Sequence, residues 1–217
     1  MRALKKQHII FFLLVGVIFH VAYPKSQEER LQEDRVEEKQ YTSPQKFLED
    51  SFTLGKIIFD SGFRPTFLIA LWRGGAPIGI AVEEYFSYKK ASIDKHISVK
   101  TSAYNHNQLK ASVEIFNLEY VINNLKRDDA LLIVDDIVDS GSTMQKIVEE
   151  LKIRCGDNMP HDIRIATLYY KPQKASIKPD YYLYETDKWI LFPHALEGLT
   201  MDEIKEYQGS AVTQILE

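Results

Sequence analysis

Residues 130–143, Ala-Leu-Leu-Ile-Val-Asp-Asp-Ile-Val-Asp-Ser-Gly-Ser-Thr, constrain the fold more than any other stretch of this chain. The unbroken apolar run 130–134 has the length and branching of a strand covered on both faces. Such strands belong to parallel sheets with helices on either side. This one delivers two adjacent carboxylates, Asp135 and Asp136, to its C-terminal end. A polar turn follows, and then a helix predicted over 143–154. Strand, loop and helix in that order describe a unit of an α/β domain, with the loop where such sheets bind their ligands.

The flanking sequence fits the same architecture. Ser43 can cap a helix and Pro44 suits its first position; Phe47, Leu48, Phe52, Leu54, Ile57, Ile58 and Phe59 then recur at helical spacing up to Gly62, a C-cap. A buried strand is predicted at 67–71. It runs into Arg73, Gly74, Gly75, Ala76 and Pro77, and a helix follows over 78–86. Residues 96–104 alternate as a strand, 105–112 read as polar and turn-like, and 120–125 form a short apolar segment. Further strands are predicted at 163–170, 181–184 and 189–192. The expected product is one α/β domain with a mostly parallel sheet.

Composition limits the function classes. A net charge of -4 and a pI near 5.9 give no basis for non-specific nucleic-acid binding. The lone Cys155 excludes an internal disulfide and reads as an apolar filler near a helix end, and no Cys/His cluster has zinc spacing. The first 25 residues differ from the rest. Arg2, Lys5 and Lys6 precede an apolar run over 9–23, and an acidic linker follows over 26–42. Three readings stand: a short membrane anchor, a cleaved signal, or a start assigned too far upstream, with the true chain beginning nearer Val36. The domain itself is expected over 43–208, with a tail over 209–217.

The local chemistry of the acidic loop points to a sugar phosphate. Gly141 frees the backbone for a tight turn. Ser140, Ser142 and Thr143 offer hydroxyls, and the helix start offers unpaired N–H groups with a positive dipole end. Together they suit a phosphate monoester. Asp135 and Asp136 would repel a phosphate, but they suit sugar hydroxyls or a divalent cation between sugar and phosphate.

The pattern strand-Asp-Asp-x-x-Asp-Ser-Gly-x-Thr resembles the signature of the type I phosphoribosyltransferases. The resemblance implies their α/β fold, with a mostly parallel central sheet flanked by helices and a small base-binding hood. It implies that Asp135 and Asp136 bind the ribose hydroxyls of phosphoribosyl pyrophosphate (PRPP) and that Ser140, Gly141, Ser142 and Thr143 bind its 5′-phosphate. Further segments resemble the purine branch, notably the bacterial xanthine-guanine and hypoxanthine enzymes. Arg73, Gly74 and Gly75 resemble the pyrophosphate loop. Ser102, Ala103 and Tyr104, continuing to Gln108, resemble the mobile loop that closes during catalysis. Lys171, followed by Pro172, resembles the lysine that contacts a 6-oxo group. Trp189 and Ile190 resemble the base-binding segment, where a ring stacks on the purine and backbone carbonyls read its edge.

The implied activity is a Mg²⁺-dependent transfer of phosphoribosyl from PRPP to hypoxanthine, guanine or xanthine, releasing pyrophosphate, in nucleotide salvage. Asp135, Asp136 and Asp139 would be the catalytic carboxylates, Asp139 exchanging a ring proton with the base. Mg²⁺ would sit near Asp135 and Asp136, reached through ribose hydroxyls or water. The relatives are commonly dimers or tetramers, so a homo-oligomer is implied, and no nucleic-acid partner. PRPP is a cytosolic metabolite, which implies a cytoplasmic domain, with residues 9–23 as a tether at the cytoplasmic face. The alternative is a non-catalytic regulatory protein that binds PRPP or a nucleotide. Two departures bear on activity. Ala103 stands in the mobile loop where the relatives carry a serine, and His194 stands where xanthine-guanine enzymes have tryptophan. A histidine there either changes base preference or is a satisfied surface residue, the second reading being favoured.

Overall fold

The computed structural model describes residues 38–105 and 108–217. The hydrophobic segment and most of the acidic linker lie outside the described residues. Helices and strands alternate as the apolar pattern predicts. After a short strand β1 (Lys39–Tyr41) come α1 (Pro44–Asp60), β2 (Phe67–Trp72), α2 (Gly75–Tyr88), β3 (Lys95–Asn105) and β4 (Gln108–Phe116). The second half holds α3 (Glu119–Asn124), β5 (Ala130–Val138), α4 (Ser142–Cys155), β6 (Asp162–Tyr170), β7 (Tyr181–Glu185), β8 (Trp189–Leu191), α5 (Met201–Gln208) and α6 (Ser210–Leu216). None of the described helices is long and apolar enough to cross a membrane.

The main sheet has six strands in the order β4-β3-β2-β5-β6-β7. Every pairing is parallel except β3 with β4. Side-chain alternation on the central strands separates two cores. Leu68, Ala70, Leu132 and Val134 face one side, where they pack with Leu54 and Ile58 of α1 and Ile78, Val82 and Phe86 of α2. Phe67, Ile69, Leu71, Leu131 and Ile133 face the other, against Val121 of α3 and Met144, Ile147 and Leu151 of α4. Cys155 is buried at the end of α4, as its reading as a filler requires.

Chain direction across this sheet locates the ligand cleft. From β2 the chain crosses through α2 to β3 on one side, and from β5 through α4 to β6 on the other. The order therefore reverses between the neighbours β2 and β5, and the loops leaving their C-terminal ends diverge around a crevice. Those loops are the segments 73–75 and 139–141.

Several elements differ from the sequence expectation. Strand β5 runs on through Asp135 and Asp136 to Val138, four residues past the predicted end, because its backbone continues to pair with β6. Lys39–Tyr41 form β1, within the stretch read as linker, because their backbone pairs in parallel with β8. A polar triplet carries no periodicity, so only that partner makes it a strand. Helix α2 begins at Gly75, three residues ahead of the predicted start at 78. Pro77 lies in its first turn, where a missing N–H costs nothing. Residues 108–112, read as turn-like, belong to β4, which pairs only with β3. An edge strand is held through its backbone on one side and needs no apolar alternation. The C-terminal tail folds as α6.

The α1 cap forms as predicted. The Ser43 hydroxyl accepts from the Lys46 N–H at 3.2 Å, and Gly62 takes φ +85° just beyond the helix end. Ser43→Ala is expected to cost about 1 kcal/mol, measured as a lower midpoint in urea with an unchanged slope.

Candidate functional site

Two glycines bring the first loop onto the second. The chain leaves β2 at Trp72 through a cis Trp72–Arg73 peptide and enters α2 at Gly75. A Cβ on Gly74 would lie 1.8 Å from Oδ2 of Asp136, and one on Gly75 would lie 2.3 Å from the Val134 carbonyl oxygen. No side chain fits at either position, so the backbone beside Arg73 lies directly on Asp135 and Asp136. The Gly75 N–H donates to the Asp135 carboxylate, and the Asp136 N–H donates to its Oδ1 at 3.0 Å.

The electrostatics of the carboxylates follow from this crowding. Burial raises the Asp135 carboxyl well above the ordinary aspartate range, and the charge of Asp136 pushes it the same way. Asp136 is less enclosed, with 16% of its side chain exposed. Arg73 is largely exposed and forms an ion pair with Glu197 at 3.6 Å.

The hydroxyl turn is built as expected and braced by a segment the sequence did not mark. Gly141 takes φ +82° at the cap of α4. The Ser140 and Ser142 hydroxyls lie 2.9 Å apart, and the Ser142 N–H donates to Ser140 Oγ at 3.3 Å. Behind them, Ser176 donates from both its N–H (2.9 Å) and its hydroxyl (3.0 Å) to the Ser140 carbonyl. A Cβ on Gly141 would lie 2.7 Å from Ile177 Cγ2. Gly141→Ala therefore meets both a strained φ and a neighbour. If the turn holds the 5′-phosphate, the variant is expected to raise the KM for PRPP about tenfold, read from steady-state kinetics.

Asp139 faces cations. Lys171 Nζ stands 3.4 Å from one of its oxygens, and Lys174 Nζ stands 3.9 Å from the other. The Lys171 side chain is only 2% exposed, and its ammonium lies over the Trp189 ring at 5.8 Å. Lys171, Asp139 and Trp189 thus meet around one point. Ile190 differs: its side chain is buried in the core, which leaves only its main chain for a ligand. Ser102, Ala103 and Tyr104 lie in β3, whose backbone register with β4 shifts between Ser102 and Tyr104. Their side chains, with His106 and Asn107, lie outside the described residues.

His194 is an exposed residue that contacts the acidic pair. Its Nε2 lies 3.6 Å from Asp136 Oδ2, while its ring stacks on Phe192 at 5.5 Å and meets Phe47 edge-on at 5.6 Å. The Phe192 stack and the Phe47 edge hold the ring beside Asp136, and the residue is exposed, as the sequence reading has it. Lys174, Ser176 and Glu197 are residues that sequence reasoning missed. Only Lys174, three residues after Lys171, carried a usable signal.

An open parallel sheet whose loops meet at a switch point, with an arginine and a helix start among them, defines an α/β protein able to hold an anionic ligand there. A family model described as the phosphoribosyl transferase domain matches residues 38–203, and the chain belongs to the phosphoribosyltransferase family. A hypoxanthine-guanine phosphoribosyltransferase of Lactococcus lactis is 32% identical over 155 residues, or 68% of this chain and 76% of that protein. The purine phosphoribosyltransferase of Pyrococcus horikoshii aligns with a TM-score of 0.57 at 26% identity, covering 75% of this chain and 97% of that one. The xanthine-guanine-hypoxanthine phosphoribosyltransferase of Helicobacter pylori shares the fold, with a TM-score of 0.55, 23% identity and coverage of 72% and 91%.

Proposed function

We propose that this protein transfers the phosphoribosyl group of PRPP to a 6-oxopurine and releases pyrophosphate, as a step of nucleotide salvage. The observation that carries this reading is the seating of the Arg73 loop on the Asp135–Asp136 pair, through Gly74 and Gly75. That contact puts a diphosphate-type loop and a ribose-type carboxylate pair side by side, as a single donor molecule requires. The relatives named as hypoxanthine-guanine and purine enzymes support the choice of acceptor.

In the proposed reaction a purine ring nitrogen bonds to C1 of the ribose as the C1–O bond to diphosphate breaks. The bonding electrons leave with the diphosphate. Arg73 and the Gly74 amide offset charge on the leaving group, while the Gly75 N–H is given to Asp135. Asp135 and Asp136 hold the ribose hydroxyls and lie near the positive charge developing on the sugar. Ser140, Gly141, Ser142 and Thr143 anchor the 5′-phosphate, so the donor is fixed at both ends. Asp139, with Lys171 beside it, faces the base and takes the ring proton, while Lys171 selects a 6-oxo group. Trp189 provides the stacking face.

Mg²⁺ belongs to the same proposal. Among the described residues there is no cluster of three or more side chains able to hold a metal. Asp135 and Asp136 are a donor set suited to a cation bound mainly by water and substrate oxygens. When bound, the ion would offset charge on the diphosphate. Because the donor is a cytosolic metabolite, the proposed reaction belongs in the cytoplasm.

The test is incubation of the purified protein with Mg²⁺, PRPP and, separately, hypoxanthine, guanine, xanthine and adenine. Pyrophosphate and nucleotide are followed together, with Asp135→Asn/Asp136→Asn as the control. Nucleotide from a 6-oxopurine, absent in the control, is the expected result. PRPP binding without turnover of any base would overturn the catalytic reading in favour of a regulatory binder.

A further inference from the structure

The Asp136 carboxylate is confined from two directions. On one side stands the Gly74 α-carbon, close enough that a methyl group there would lie 1.8 Å from Oδ2. On the other stands His194, with Nε2 3.6 Å from the same Oδ2. His194 comes from the segment that follows β8, while Asp136 lies within β5, two residues before its end. The imidazole is itself fixed. It stacks on Phe192 with an interplanar angle of 8° and meets Phe47 edge-on at 64°, and its side chain is 30% exposed.

A ring gripped by two aromatics needs no nitrogen for its packing. Phenylalanine would fill the same slot, so the placement of Nε2 against a carboxylate oxygen is what histidine adds. At 3.6 Å the pair is in electrostatic contact but longer than a formed hydrogen bond. Polar contacts in ligand-free sites often tighten only when substrate is present.

We propose that His194 is a positioning residue that holds the Asp136 carboxylate towards the ribose hydroxyls of PRPP. This rests on the assignment of PRPP as donor. His194 touches neither base nor phosphate in this role; it keeps Asp136 from rotating away from Gly74 and the sugar. The consequence is selective: affinity for the ribose-bearing donor depends on Nε2, and affinity for the base does not.

The test compares wild type, His194→Phe and His194→Gln. Phenylalanine keeps the aromatic packing and loses the polar group; glutamine keeps an N–H near the Nε2 position and loses the ring. PRPP affinity is measured by calorimetry without base, and KM for PRPP and for the base by steady-state kinetics. The expected result is about a tenfold loss of PRPP affinity in His194→Phe, with the base KM within about twofold of wild type. His194→Gln is expected to recover most of that loss despite its poorer packing. Unchanged PRPP affinity in His194→Phe would overturn the proposal. So would a loss that glutamine fails to rescue, or one that raises both KM values together. Wild type that binds no PRPP would overturn the donor assignment, and this inference with it. Wild type that binds PRPP without turnover would overturn the transferase reading alone, since the calorimetric comparison still decides the role of His194.

Discussion

Gly74→Ala is expected to lower transferase turnover about 100-fold while leaving the thermal midpoint within about 2 °C of wild type. The added methyl would fall 1.8 Å from Oδ2 and 2.2 Å from Cγ of Asp136. The atoms it meets are the end of a short side chain, so the fold can yield by rotating that carboxylate. What it gives up is the position of Asp136 over the loop. Gly75→Ala provides the contrast. Its methyl would meet backbone, the Val134 carbonyl oxygen at 2.3 Å and the Asp135 α-carbon at 2.9 Å. That substitution should cost about 1–3 kcal/mol of stability, because strand and helix must separate. Parallel measurement of turnover and thermal midpoint on the two variants distinguishes a functional close approach from a structural one. Wild-type turnover in Gly74→Ala would remove Asp136 from the proposed mechanism.

Asp135→Asn should pull activity and stability in opposite directions. Burial, and then the charge of Asp136, hold the Asp135 carboxyl well above the ordinary range. The folded protein therefore holds this proton more tightly than the unfolded chain does. The resulting stability is fully present below the unfolded pKa, near 4, and is lost as pH rises through the higher folded value. Above the unfolded value the group is therefore a net burden on the fold. Asparagine removes that charge and keeps an oxygen to accept from the Asp136 and Gly75 N–H groups. The variant is expected to melt roughly 3–6 °C above wild type at pH 7.5, with the gap closing towards pH 4. Turnover should fall by about 100-fold or more. Melting curves across pH read the first effect, and an equal midpoint for the two proteins at pH 7.5 would contradict it. The trade is the familiar one in which a site retains charge that the fold alone would discard.

Much of this was legible in the residues. Residues 130–134 announced a strand buried on both faces because nothing polar interrupts them, and Leu131 to Val134 do divide between the two cores. Arg73 to Gly75 and Ser140 to Thr143 were legible as tight turns because their chemistry is local: glycine for close approach and for a positive φ, hydroxyls beside a helix start. The missed features depend on partners distant in sequence. Lys39–Tyr41 are a strand only beside Trp189–Leu191. β4 is a strand only beside β3, and its polar residues suit an edge as well as a turn. His194 is exposed, as read, but nothing nearby in sequence shows that Phe47, more than a hundred residues away, and Phe192 hold its ring beside Asp136. Ser176 bracing Ser140 belongs to the same kind.

The reversal of strand order between β2 and β5 bears on how this molecule comes to be whole. The loop after β2 and the loop after β5 meet only once those strands have paired across the intervening hairpin and α3. Such a pairing joins distant parts of the chain and is slow to form. A ligand gripped by both loops has nothing to hold on a half-assembled chain, so it binds the finished sheet alone. Its binding then adds RT ln(1 + [L]/Kd) to the free energy of unfolding. The donor substrate would thus also serve as a clasp on the long-range seam, resisting the separation of the two halves of the domain.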